Sequence, residues 1–246
     1  MSGHSKWHNI QAKNGKADAA RGRIFTKIGR EIAVAAKQGA DPNLNSKLAD
    51  VIAKAKAANM PNDNIKRSIA KATGELGSVN FETLIYEGYG VGGSAVIVNT
   101  LTDNKNRTVG EVRHIFDKYG GSMGTSGSVS FMFTNQGVIV IARTPDLNED
   151  TLIEYALDAG ADDCIALDDV FEIRTAPGAF SDVRKYLESK NLEFLEAEVM
   201  MIPNDKITLN ESQTQTFEKM IDALEDLDDV QEVYHNVDLP EEDEEE

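Results

Sequence analysis

At 246 residues, with 41% hydrophobic and 27% charged residues, the chain has the composition of a globular protein of two or three modest domains, neither disordered nor fibrous. No apolar run reaches the ~18 residues of a membrane span, the N-terminus offers no apolar signal-peptide core, and the lone Cys164 excludes an internal disulfide framework, so a cytoplasmic protein is expected. The net charge of −17 is unevenly spread: residues 1–75 carry 14 Lys/Arg against 6 Asp/Glu, and the remainder 11 against 36. That asymmetry fits a polyanion-binding module joined to a body that repels polyanions.

The chain opens on a basic stretch, "GHSKWHNIQAKNGK". Residues 17–38 then have the period of an amphipathic helix, with Ile24, Phe25, Ile28, Ile32, Ala35 and Ala36 on one side and Arg23, Lys27, Arg30 and Lys37 opposite. A second helix is predicted over 46–59, capped by Asn45 and ended by Pro61. A third, over 62–73, buries Ile65 and Ile69, presents Lys66, Arg67 and Lys71, and stops at Gly74. Residues 1–76 thus read as a basic three-helix domain.

From residue 79 the period becomes that of strands. "ETLIYEGYG" and "SAVIVNTLTD" flank a glycine-rich turn, "NRTVGEVRHIFDKYGG" reads as a helix, and "SVSFMFTN" as a returning strand. Residues 137–203 contain strand, helix, two strands, helix and strand in that order, the β-α-β-β-α-β ferredoxin-like plan. Beyond Pro203 a short strand "KITL", a helix over 212–226 and a strand "VQEVYHN" complete a second such set with the segment before Asn135. The expected architecture is α+β in three domains: the helical one, a discontinuous α/β domain of 79–135 and 205–238, and a ferredoxin-like α/β domain of 137–203 inserted into it. Residues 239–246 are expected to be an acidic, disordered tail.

"GYGVGG" (88–93) satisfies G-x-G-x-x-G, but a strand follows it where a dinucleotide cradle needs a helix, and it reads as a hairpin or recognition loop carrying Tyr86 and Tyr89. His4 and His8 lack further ligands nearby, and the Asp pairs 162–163, 168–169 and 228–229 fall at element boundaries as charged turns. No nucleophile is paired with a base, so neither an enzyme nor a cofactor or metal is expected. The head and first helix remain. Asp18 is the only acid in the first 30 residues, so the cations there lack local partners, and the sole tryptophan lies where it could stack on a base. Lys6, Trp7, Lys13, Lys16, Arg21, Arg23, Lys27, Arg30, Lys66 and Arg67 are therefore the candidate nucleic-acid-binding residues. A second candidate surface comprises Tyr86, Tyr89, Lys105, Arg107, Arg113 and His114, while the acidic domains could meet protein partners.

The blocks "GHSKWHNIQ", "RGRIFTKIGREI", "NMPNDNIKRSI", "YEGYGVGG", "DNKNRTVGEVRH", "GGSMGTSGSVSFMF" and "LDDVQEVYHN" run nearly end to end and closely resemble the YebC/PmpR family of bacterial cytosolic proteins, which has mitochondrial relatives. Val91 stands where that family usually has proline. The resemblance implies a helical N-terminal domain with two α/β domains, no enzymatic activity, and one of two roles. These are a DNA-binding transcriptional regulator or a ribosome-associated translation factor, acting on rRNA or tRNA, that eases stalling at proline runs.

Overall fold

The computed structural model describes residues 18–74 and 80–239, with side chains from residue 22 onward. Three helices come first: α1 (Asp18–Ala36), α2 (Ser46–Ala57) and α3 (Asn62–Ala72). Asn45 caps α2 by accepting the Leu48 N–H at 3.1 Å, and its amide donates to the Ala35 carbonyl, so one side chain both starts α2 and closes α1. Ile28, Ile32, Ala35, Leu48, Ala55 and Ile65 form a core of their own. Ile24 is an exception to the expected inward face at 37% exposed, because the first turns of α1 run past the packed core.

Two four-stranded antiparallel sheets follow. The first contains β1 (Glu82–Tyr89), β2 (Ala95–Thr102), the short β3 (Ser122–Met123) and β8 (Val230–His235), in the order β3-β1-β2-β8. The second contains β4 (Phe133–Ala142), β5 (Asp163–Ala166), β6 (Val170–Thr175) and β7 (Glu196–Pro203), in the order β5-β6-β4-β7. Helices α4 (Lys105–Lys118) and α7 (Glu211–Glu225) cover one face of the first sheet, where Val96, Val98, Val112, Phe116, Phe217 and Leu224 pack. Helices α5 (Glu149–Ala159) and α6 (Phe180–Ser189) cover one face of the second, over Ile139, Ile141, Phe171 and Ile173. The two uncovered faces pack on each other. Ala95, Ile97 and Tyr234 of the first meet Val138, Val140, Val170, Met200 and Ile202 of the second. Alternation along β2 explains this, since its odd and even residues serve different layers and both are apolar.

The fold class is thus α+β, with a helical domain and two ferredoxin-like α/β domains, the second sheet lying within the chain span of the first. Two expected strands differ. "SVSFMFTN" does not return to the first sheet; residues 130–132 are a 3-10 turn and Phe133 opens β4, which runs unbroken to Ala142. Gly137, which looks like a break, instead lets two elements touch: a Cβ there would lie against the Thr175 hydroxyl and 2.8 Å from the Phe180 ring. "KITL" contributes only an isolated bridge, Ile207 to Val237. Its place beside β2 is taken by β1, so the sheet has the ferredoxin-like arrangement with its third strand moved to the front of the chain.

Candidate nucleic-acid interface

Of the residues expected to bind nucleic acid, Lys6, Trp7, Lys13, Lys16 and the Arg21 side chain lie outside the described residues, as do His4 and His8. Lys66 and Arg67 are exposed on α3 with Lys71, and Lys47 and Lys56 are exposed on α2. None of these five forms an ion pair within the described residues. Exposed cations that form no ion pair are open to a polyanion.

Arg23, Lys27 and Arg30 are placed differently. They have no local partner, but they have distant ones about 200 residues downstream, beyond the reach of local sequence. Arg23 pairs with Asp226 at 2.6 Å, Lys27 donates to the Glu225 carbonyl at 2.7 Å, and Arg30 meets Asp229 at 2.8 Å. Arg30 also donates to the Asp228 and Leu101 carbonyls and lies over the Phe81 ring. Burial outweighs the neighbouring Glu232 and Glu225 charges and lowers the Lys27 pKa.

Asp229, which the sequence left as a charged turn, is a hub. The residue is buried, at 2% exposed. One oxygen takes Arg30; the other lies within hydrogen-bond distance of Arg107, Thr102 and Thr108. Burial alone would raise its pKa, but the Arg107 and threonine hydrogen bonds prevail and lower it. Arg107, from the second candidate surface, is thereby committed to Asp229 and to Asp103, and these bonds raise its own pKa. Tyr86 is not on an open loop either. It packs against the α4–α7 core, where burial and the Asp229 charge raise its pKa. Lys105, Arg113 and His114 remain exposed on α4.

The 88–93 loop closes as a hairpin. Gly90 donates to the Ser94 carbonyl at 2.7 Å, Gly92 takes φ 66°, and Val91 packs against the α4–α7 core. No helix follows to present N–H groups to a phosphate. Beside it, buried Glu87 accepts the backbone N–H groups of Gly127, Val129 and Ser130 at 2.9–3.0 Å. Burial would raise its pKa, yet these donors lower it. The pinned loop ends at Phe131, 71% exposed, and Tyr89 donates to its Ser128 carbonyl. Sequence reasoning missed Phe131 because alternation had assigned it to a strand.

A second cluster, also missed, joins all three domains. Lys54 of α2 reaches Glu31 of α1, Glu198 of β7 and Glu232 of β8, at 3.1–3.3 Å. Burial would lower the Lys54 pKa, but the three carboxylates raise it. Glu31 itself is raised, by burial and by the other two acids against Lys54. Asp50 of α2 accepts from Ser181 and from the buried Arg184 of α6. Cys164 is half-buried, its thiol pushed up to about 11 by burial and nearby Asp163 and Glu149.

Among the described residues no helix is long and apolar enough to cross a membrane. Residues 5–75 match the family model for the TACO1/YebC protein N-terminal domain, and residues 81–237 the model for the TACO1/YebC second and third domain. A "Probable transcriptional regulatory protein" of Clostridium beijerinckii is 60% identical over 98% of both chains. One of the same name from Acetivibrio thermocellus is 61% identical over 96% of this chain and 98% of its own. The crystal structure of a conserved hypothetical protein, Aq1575, from Aquifex aeolicus matches with a TM-score of 0.81 at 42% identity, covering 94% of this chain and 96% of that one. With both family models matched across nearly its whole length, and the fold shared with a solved relative, the chain belongs to the TACO1/YebC family.

Proposed function

We propose that the chain is a non-enzymatic, cytoplasmic regulator that binds DNA through phosphate contacts made by its helical domain. The regulatory part of the reading rests on relatives named "Probable transcriptional regulatory protein". The binding part rests on one observation: Lys47, Lys56, Lys66, Arg67 and Lys71 are exposed without ion partners among the described residues, on a chain whose net charge is −17. Cations near a phosphate backbone release condensed counterions, a gain that needs no base-specific groove contact.

Mobility shifts of the full chain on a promoter fragment and on scrambled duplex of equal length test this. Lys66→Ala with Arg67→Ala should weaken both complexes and reduce the slope of log K against log salt by about 2, one per phosphate contact. Lys185→Ala with Lys190→Ala, an equal charge change on α6 and its C-cap, should leave both intact. Equal shifts on the two duplexes would remove sequence-specific control. Failure to shift any DNA, with sedimentation on ribosomes instead, would move the target to RNA.

A further inference from the structure

The seam between the helical domain and the rest of the molecule is built from charge. Among the described residues the helical domain's apolar cluster contains no residue beyond Ala72, and the other three clusters contain none before Tyr86. What crosses the seam is chiefly ionic or polar: Arg23 to Asp226, Lys27 to the Glu225 carbonyl, Arg30 to Asp229, Lys54 to Glu198 and Glu232, and Asp50 to Arg184, with the Arg30 guanidinium also over the Phe81 ring. On the α1 side these are residues i, i+4 and i+7, one continuous stripe. On the other side is the C-terminal end of α7. It has no basic residue in its last turn, exposes carbonyl oxygens, and leads through Glu225, Asp226, Asp228 and Asp229. A helix C-terminus carries partial negative charge, so this end presents to α1 what a run of phosphates would present.

The pairs are also arranged so that parting leaves few buried charges stranded. Arg184 keeps Glu188 on its own helix at 3.0 Å, and Lys54 keeps Glu31 within the helical domain at 3.3 Å. Asp229 keeps Arg107, Thr102 and Thr108 on the oxygen that Arg30 does not use. Removing one member of a buried pair is normally costly because the other is left unpaired, and these spare partners reduce that cost.

We propose that the Arg23–Lys27–Arg30 stripe is a second phosphate-binding surface, masked by the acidic end of α7, which the helical domain leaves when a nucleic-acid backbone takes its place. The inference rests on the reading that the helical domain binds nucleic acid. It adds that binding and domain docking compete. The undocked fraction then sets the apparent affinity, so loosening the mask tightens binding.

The test compares Glu225→Gln with Asp226→Asn, which weakens the mask, against Glu154→Gln with Asp158→Asn, an equal charge change on α5. Full-length proteins are titrated with a short duplex DNA and with a single-stranded RNA of equal length. Fluorescence transfer between dyes at Ser46→Cys and Glu111→Cys, in a Cys164→Ser background, follows docking. The masked-surface account expects the α7 variant to bind about two- to fivefold tighter than the α5 variant, the worth of one exposed ion pair. It also expects transfer efficiency to change when DNA or RNA is added to the otherwise unchanged protein. Equal affinities with unchanged transfer, while the parent still binds, overturn the masking and leave the proposed function standing. Tighter binding with unchanged transfer also overturns it, since the domain has not moved. No binding by parent or variant overturns both, and binding by the α7 variant alone supports masking.

Discussion

The molecule has two internal seams, and they are made of different things. Between the sheets, Ala95, Ile97 and Tyr234 face Val138, Val140, Val170, Met200 and Ile202. Between the helical domain and both sheets lie the ion pairs of Arg23, Arg30, Lys54 and Asp50. Apolar burial has no charge for ions to screen, whereas ion pairs do, and the exposed Arg23–Asp226 pair responds more than the partly buried pairs of Arg30, Lys54 and Asp50. The first seam makes two chain-interleaved domains into one body. The second attaches the cationic domain on terms that salt and polyanions can change.

The contrast can be broken or sharpened in order of expected effect. Ile97→Ala, in the sheet–sheet seam, should cost about 2–5 kcal/mol in denaturant unfolding, with the same loss at low and high salt. A loss that shrank with salt would erase the distinction. Asp229→Asn, at the hub, should cost about 1–3 kcal/mol, because Arg30 and Arg107 both lose their charged acceptor. Acid should mimic it. Asp229 and Glu87 have lowered pKa values, so each contributes stability above its unfolded value that is lost as pH falls through its lower folded value. Glu31, raised by burial, has the opposite sign: its contribution is full below its unfolded pKa and lost as pH rises through the folded one. Melting curves of Asp229→Asn should therefore show less acid destabilisation than the parent. Arg23→Ala, at an exposed pair, should cost under about 1 kcal/mol and only at low salt.

How much of this was legible in the sequence depended on how far apart the interacting residues are. The helices of the first domain rest on local periods and caps, so Ile28, Ile32, Asn45 and Pro61 announced them. The ferredoxin-like plan of the second sheet was equally readable from alternating strand and helix patterns. The place of Gly137 inside β4 was not legible, because its reason is Phe180, more than forty residues away. Asp228–Asp229 looked like a turn because the partners of Asp229, Arg30 and Arg107, come from two earlier segments. The stripe of α1 illustrates the limit best. Its cationic face was evident, but the carboxylates opposite it belong to the far end of the chain.

The salt dependence of full-chain binding to duplex DNA tests the central claim most directly. A cationic domain gripping phosphates predicts a linear fall of log K with log salt, with a slope of about −0.9 for each phosphate neutralised, that flattens when Lys66 and Arg67 become Ala. A slope near zero, or one that those substitutions leave unchanged, would contradict the account.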